Sequence, residues 1–156
     1  MARPINVIDL LERDHRLIDS LAEQLDASDD PAEISRLFLR IADELAAHEA
    51  AEQEVVFPAF RASLEADRDT TLAHRMGEHE ELNDLIAEMR SLAPKGFGFT
   101  KRCSALLLDV KAHFLVEEET VFARMRAALS AEDLAELGER ALALKQQSAS
   151  GLSHPG

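Results

Sequence analysis

Six side chains of two types, histidine and glutamate, follow a pattern that occurs twice in this chain. In each copy a single histidine is followed, 33 or 34 residues later, by a second histidine with a glutamate four places further on. The first copy comprises His15, His48 and Glu52, and the second comprises His79, His113 and Glu117. Imidazole nitrogens and carboxylate oxygens are metal ligands. Two histidines and one carboxylate in each half supply the donors for a centre of two metal ions.

The two copies also agree outside these positions. The segments HEAAEQEVVFPAFRASL, residues 48–64, and HFLVEEETVFARMRAAL, residues 113–129, match in register at a second glutamate, at a Val-Phe pair, and at Arg, Ala and Leu. The repetition therefore indicates a repeated site and not only a repeated core.

A glutamate four residues after a histidine lies on the same face of a helix, about 5–6 Å away. Each His-Glu pair can therefore hold one ion, and Glu52 and Glu117 are the predicted bridges between two ions. Imidazole and carboxylate donors favour iron or manganese over calcium and over ions that prefer thiolates. Six side chains do not fill two octahedra, so solvent and oxo or hydroxo bridges must complete them. An exchangeable position is left for a small molecule.

A lone histidine of this kind has a simpler interpretation, as a hydrogen-bonded core residue or a solvated side chain. Here all four histidines and both glutamates fall on the apolar stripes of predicted helices. Burial of six polar groups without partners destabilises a fold by several kcal/mol or more. A metal cluster satisfies all six at once, which favours it over a purely structural bundle.

Apolar residues at alternating steps of three and four predict four long amphipathic helices. These helices cover residues 5–27, 31–65, 70–92 and 100–128. Asp30 and Pro31 fit the N-cap and first position of the second helix, and Pro58 is predicted to kink it or end its regular part. The segment APKGFGF is predicted to be the loop between the third and fourth helices. Short connections favour an antiparallel up-down-up-down four-helix bundle.

An additional short C-terminal helix is predicted after the bundle, with Ser130 and Asp133 as a weak capping box. Its apolar residues, which would pack against the bundle or a partner, are Leu134, Leu137, Ala141 and Leu144. We predict one all-α domain over residues 1–146 and a disordered tail over residues 147–156, which is polar and rich in small residues. His154 belongs to the tail and is assigned no role.

Composition restricts the partners. A chain of 156 residues fits one domain, and 46% hydrophobic with 30% charged residues is typical of a helical bundle. Lys and Arg number 17 against 30 Asp and Glu, which gives a formal charge of −13. A surface this acidic repels phosphate backbones and anionic membranes, so neither nucleic acid nor a membrane is a predicted partner.

Other sequence features concern compartment and redox state. No apolar stretch approaches the roughly 18 residues of a membrane span, and the start MARPINVIDLLERDHR lacks the features of a signal peptide. The predicted location is the cytoplasm. The single cysteine, Cys103, excludes an intramolecular disulfide and is predicted to pack as a small apolar group.

The order of the ligands distinguishes this chain from ferritin-like di-iron bundles, which use Glu-x-x-His on two helices and a lone Glu on the other two. Here two helices carry His-x-x-x-Glu and two carry a lone His. That order resembles the hemerythrin-like family, also called the HHE cation-binding domain, over roughly residues 5–128. The most specific elements are DHRLI, HEAAEQEVVFP, EHEEL and HFLVEEE. The resemblance implies a non-haem di-iron centre, used by different members for oxygen binding, iron or oxygen sensing, nitric-oxide response or peroxide breakdown.

The chain departs from the oxygen-carrying hemerythrins at two points. Those proteins have a His-x-x-x-His pair on the third helix, and here Arg75 stands four residues before His79. They end with a histidine and an aspartate five residues later, where this chain has a glutamate four residues later. Five histidines become four, so one of the two irons is expected to have fewer protein ligands. This disfavours reversible oxygen storage and favours peroxide or NO chemistry, or sensing.

Further residues are candidates for supporting roles. Glu49 is a candidate seventh ligand because some hemerythrin-like proteins use a glutamate there, and a solvated residue is the alternative. His74 is a weaker candidate because it lies about 140° around the helix from His79. Glu118 could replace Glu117 if its helix is rotated. Asp14 and Glu78, each next to a lone histidine, are candidates for holding a ligand's second nitrogen, as are backbone or water.

These observations predict a cytoplasmic di-iron protein that binds or reduces a small oxidant, O2, H2O2 or NO, with peroxide breakdown ranked first. Manganese is the second choice of metal, and the chain is predicted to be a monomer or homodimer. No individual catalytic residue is assigned. The alternative function is a non-catalytic sensor or O2-binding module, in which iron or oxygen changes the stability of the bundle.

Overall fold

The computed structural model of the chain describes residues 5–63, 80–84, 86–88, 90 and 96–152. Within these ranges the chain is helical with short connections and contains no strand, which confirms the predicted all-α bundle. Among the same residues, no helix combines the length and apolarity needed to cross a bilayer.

The first two helices form an antiparallel pair with sharply capped starts. Helix α1 covers Val7–Ala27, and α2 covers Pro31–Ala51. The Asn6 side chain accepts a hydrogen bond from the Ile8 N–H at 2.8 Å and begins α1. Asp30 accepts from the Ala32 N–H at 3.1 Å, with proline at the first helical position, which confirms the predicted start of α2.

Each copy of the repeat contains a π-helical turn next to its glutamate. These turns are common at functional sites because they widen a helix locally and re-aim its side chains. The first turn, Glu52–Val56, joins α2 to α3, Phe57–Ser63. The second, Glu118–Phe122, joins α4, Gly96–Glu117, to α5, Ala123–Ala128.

Pro58 is the second residue of α3, the helix that follows the first π-helical turn. Proline lacks an N–H donor and its ring crowds the carbonyl four residues earlier, so the backbone before it departs from regular α-helix. The predicted irregularity is therefore present as a widened turn, and the chain remains helical as far as Ser63.

The third predicted helix, residues 70–92, lies largely outside the described residues. Its described parts, 80–84, 86–88 and 90, are helical, with Leu82 and Ile86 buried as the stripe predicts. The next boundary differs from the prediction, because α4 begins at Gly96, inside the segment predicted as a loop. Phe99 supplies the reason, since it is buried and packs edge-on against Phe38, and such packing outweighs the poor helix propensity of glycine.

The hydrophobic core consists of two clusters separated along each helix by the histidines and glutamates. One cluster includes Ile18 of α1, Leu45 of α2 and Val110 of α4. The other includes Leu11 of α1 and Val55 of the first π-helical turn. Three helices therefore change from apolar to polar and back to apolar at one level of the bundle.

Helix α6, Ala131–Leu152, is longer than the predicted short helix and continues into the segment predicted to be a tail. The Ser130 hydroxyl accepts from the Asp133 N–H at 3.1 Å, which confirms the predicted cap. Over residues 131–147, where side-chain burial is described, its buried hydrophobic side chains are Leu134, Leu137 and Ala141. It packs against α1, α2 and the first π-helical turn, so it covers the bundle.

Candidate metal centre

Two histidines from neighbouring helices meet in the polar level of the core. The Nε2 atoms of His15 on α1 and His48 on α2 lie 3.2 Å apart, and both side chains are at most 2% exposed. Glu52, one helical turn beyond His48, contacts the same His48 Nε2. Helical spacing in α2 thus aims a carboxylate and an imidazole at the partner histidine of α1.

Glu117 brings α4 into the same cluster. Its Oε1 lies 3.3 Å from His15 Nε2 and 3.8 Å from His48 Nε2, and the glutamate is fully buried. Its other oxygen, Oε2, lies 3.5 Å from Nε2 of His113. One carboxylate therefore faces both copies of the repeat, which is the arrangement that a bridging ligand requires.

Four of the six predicted ligands form one buried group. They are His15, His48, Glu52 and Glu117, whose potential ligand atoms all lie within 4.8 Å of one another. His113 adjoins this group through Glu117 and is 9% exposed. His79 lies outside the described residues, as do Glu78 and His74.

The second ring nitrogen of each central histidine faces a carboxylate. The distance from Nδ1 to the carboxylate oxygen is 2.9 Å for His48 with Asp14 and 3.1 Å for His15 with Glu118. In the tautomer that donates Nδ1–H to these carboxylates, Nε2 keeps its lone pair and points into the cluster. Such outer contacts hold metal-binding histidines in place and raise their basicity.

Two phenylalanines of the second repeat enclose His15. The Phe114 ring stacks on the imidazole with centroids 3.9 Å apart and planes 9° from parallel. The Phe122 ring lies nearly parallel to the imidazole at 5.6 Å. These apolar rings help to keep water away from the His15 imidazole, which is 2% exposed. Electrostatic interactions are stronger in such a region of low dielectric constant.

The electrostatics of the cluster are those of a compensated buried charge. Burial lowers the pKa of His48, but the carboxylates of Glu52, Asp14 and Glu117 outweigh burial and hold this pKa well above its ordinary value. Burial raises the pKa of Asp14, but His48 and Lys145 outweigh it and hold this pKa below its ordinary value. The histidine and the aspartate thus stabilise each other's charged forms.

The structure distinguishes between the roles left open for neighbouring residues. Glu117 faces the cluster, whereas Glu118 contacts the outer nitrogen of His15. Asp14 contacts His48 on the opposite helix and not its own neighbour in sequence. Glu49 is 2% exposed, so the solvated interpretation of this residue is wrong.

Sequence reasoning missed Lys145 of α6. Its Nζ donates to Asp14 Oδ2 at 2.6 Å, and its side chain is 14% exposed. The available signal was weak: Lys145 lies four residues after Ala141 on the buried side of an amphipathic helix, where a long side chain can keep its charge near the edge of the core.

The donor set fits iron or manganese. Imidazole nitrogen and carboxylate oxygen suit these ions, and the cluster contains no thiolate among the described residues. Cys103 belongs to the apolar core cluster, where burial, aided by the charge of Asp26, raises the pKa of its thiol to about 12. These properties favour the predicted packing role for Cys103.

Comparison with known proteins connects this site to a family. The hemerythrin HHE cation binding domain matches residues 6–125. A DNA nickase from Nostoc sp. is 33% identical over 128 residues, which are 82% of this chain and 36% of the nickase. An iron-sulfur cluster repair protein, DnrN of Neisseria gonorrhoeae, is 31% identical over 112 residues, 65% of this chain and 71% of that protein.

A solved structure shares the fold. A hemerythrin HHE cation binding domain-containing protein from Mycobacterium kansasii superposes with a TM-score of 0.76 and 20% identity, covering 94% of this chain and 89% of that one. The chain spans only about a third of the length of the curated nickase. The likeness to the Mycobacterium kansasii structure is therefore one of fold.

Proposed function

The chain belongs to the hemerythrin HHE cation-binding domain family, and from this premise we propose that it is a non-haem di-iron protein that binds or reduces small oxidants. The reaction ranked first is the breakdown of hydrogen peroxide. His15, His48, Glu52, His79, His113 and Glu117 are the proposed ligands. Manganese is the second choice of metal.

The observation that supports this proposal best is the convergence at Glu117. Its two oxygens face different histidines, with His15 on one side and His113 on the other. A carboxylate in that position suits two adjacent ions, one for each copy of the repeat. His113, whose side chain is 9% exposed, is the least buried of the proposed ligands that the structure describes.

The chain's own residues hold and enclose the metals. Asp14 and Glu118 orient the imidazoles, and the rings of Phe114 and Phe122 exclude water from one side of His15. Bound iron would supply the redox chemistry. Peroxide breakdown needs no external donor, because one peroxide is oxidised to O2 while a second is reduced to two waters, with protons exchanged between them.

Metal content per chain tests the centre itself. We expect about two irons per chain by elemental mass spectrometry on aerobically purified, untagged protein, from the supply of two His-His-Glu sets. Glu117→Gln should lower the metal content, whereas Glu119→Gln, which alters an exposed carboxylate in the adjoining π-helical turn, should leave it unchanged. Failure to bind iron even after anaerobic reconstitution would exclude the di-iron proposal.

Oxygen evolution from hydrogen peroxide tests the reaction. Iron-loaded protein should evolve O2, and His113→Ala should evolve it more slowly, because this variant lacks one of the proposed ligands. Equal rates in the two proteins would reject peroxide breakdown at this site while leaving the metal centre intact.

A second candidate function is a non-catalytic iron or oxygen sensor. The contact of Lys145 with Asp14 favours it, since this contact joins α6 to the ligand network. Metal binding adds to the folding free energy and can therefore change which surfaces the protein exposes. A thermal midpoint and a hydrogen-exchange pattern that are the same with and without iron would reject sensing.

The proposed partner is a small molecule: O2, H2O2 or NO. The relative named a DNA nickase shares only part of its length with this chain, and a net charge of −13 disfavours binding to nucleic acid. A membrane is also excluded from the proposed partners. A cytoplasmic monomer or homodimer completes the proposal.

A further inference from the structure

A lysine from the last helix reaches the support of one central histidine. Lys145 Nζ donates to Asp14 Oδ2 at 2.6 Å, and the same oxygen lies 2.9 Å from His48 Nδ1. One carboxylate oxygen thus accepts from a cation and from the outer nitrogen of a proposed ligand. The domain match ends at residue 125, so Lys145 lies outside the part of the chain that defines the family.

Helix α6 is fixed so that Lys145 arrives at this oxygen. Near its start, Gly138 meets the backbone of Ile5, where a Cβ would lie only 1.9 Å from the carbonyl oxygen. Seven residues later Lys145 meets Asp14 of α1, so α6 runs parallel to α1. The close contact of Gly138 with Ile5 therefore fixes the position of α6 along α1, and with it the position of Lys145 beside Asp14.

The lysine gives a second partner to a carboxylate oxygen that also contacts His48. Asp14 is 8% exposed, and rotation about its side chain would take Oδ2 away from His48. A charge-assisted hydrogen bond from a second direction restricts that rotation and compensates the burial of the carboxylate. Asp14 can then hold the imidazole with its Nε2 toward the cluster.

We propose that Lys145 is a positioning residue of the metal centre, which acts through Asp14 to fix the orientation and tautomer of His48. This inference rests on the proposed metal centre and assigns α6 to it. Docking of α6 strengthens metal binding, and metal binding in turn stabilises the docked α6, because the coupling of two equilibria is reciprocal.

Iron affinity tests the inference. In the full chain under anaerobic conditions, Lys145→Met should raise the dissociation constant for Fe²⁺, measured by competition with a coloured chelator, by about 10-fold or more, the usual effect of losing an outer partner. Lys145→Arg should restore binding to within about 3-fold, because it keeps a donor and a charge. Arg140→Met, which removes an exposed cation from the same helix, is the matched control.

Hydrogen exchange supplies a readout that a merely structural lysine would not change. Iron should slow amide exchange along α6 in the unaltered chain and in Lys145→Arg, and this response should be absent in Lys145→Met. Urea unfolding of each metal-free variant measures its stability separately. If Lys145→Met does not fold, Lys145→Gln takes its place.

The outcomes separate this inference from the proposed function. Iron binding by the unaltered chain with equal affinity in Lys145→Met and Arg140→Met would overturn the role of Lys145 and leave the metal centre standing. Weaker binding that Lys145→Arg does not restore, with a matching loss of metal-free stability, would also overturn it. Absence of iron binding in the unaltered chain would reject both.

Discussion

The two His-x-x-x-Glu segments carry the same proposed ligand types in different surroundings. In the first segment His48 is 1% exposed and its outer nitrogen contacts Asp14, which in turn contacts Lys145. In the second segment the His113 side chain is 9% exposed. The histidine of the first segment is therefore more deeply buried than the histidine of the second.

The residues between the ligands also differ. The position after the histidine is Glu49 in the first segment and Phe114 in the second, and both are buried. The position after the glutamate is the exposed Gln53 in the first, whereas in the second it is Glu118, which reaches His15. Repetition of the proposed ligands thus does not repeat their environment, and we expect the two proposed metal positions to differ in affinity.

The largest expected effect concerns removal of the two paired histidines. His48→Gln should weaken iron binding by more than about 100-fold, because it removes a buried proposed ligand that Asp14 already orients. His113→Gln should weaken it by about 10-fold, because the His113 side chain is less buried than that of His48. Chelator competition on both variants measures the difference. Equal losses would contradict the inequality of the two segments.

The charge of His48 should make the stability of the metal-free protein depend on pH. Because the pKa of His48 is raised in the folded state, its contribution to stability is fully present below its ordinary pKa of 6.5 and is lost as the pH rises through the raised value. Urea unfolding at a series of pH values from 6.5 upward should show this fall, and His48→Gln should flatten it. If the unfolding free energy of His48→Gln falls with pH as steeply as that of the unaltered chain, another group causes the dependence.

A change in the packing of α6 should lower the stability of the protein, because this helix packs against α1 and against α2, which carries the first segment. Gly138→Ala would drive a methyl group into the Ile5 carbonyl and should lower the unfolding free energy by about 1–3 kcal/mol. Glu139→Ala, at the exposed neighbouring position, should leave that free energy nearly unchanged. Equal stability of both variants would mean that the close contact is relieved by a small shift of the helix.

The smallest expected effect comes from the ring that the second segment contributes. Phe114→Leu should lower the unfolding free energy by about 1 kcal/mol through loss of the stack on His15, and it should weaken iron binding measurably. Phe38→Leu alters a buried ring in the cluster away from the ligands and serves as the control. If the two variants bind iron equally well, the stack does not orient His15.

Much of the fold could be predicted because its signals are local. The stripes of α1, α2 and α4 and the caps at Asp30 and Ser130 depend on residues within one or two turns, and all of them are present. The predicted start of α4 was wrong because the helix begins earlier, at Gly96, where Phe99 packs on Phe38. Helix propensity does not include such a tertiary contact.

By itself the sequence predicted the types, the spacing and the inner-face positions of the proposed ligands, because a four-residue step on a helix is a local geometric constraint. Only the tertiary structure decided that Glu117 faces both repeats, that Asp14 serves a histidine 34 residues away, and that Lys145 reaches Asp14 across 131 residues. The physical reason is that these contacts depend on the height, rotation and separation of packed helices. Those quantities follow from the whole core and from close contacts such as that of Gly138, and no short segment encodes them.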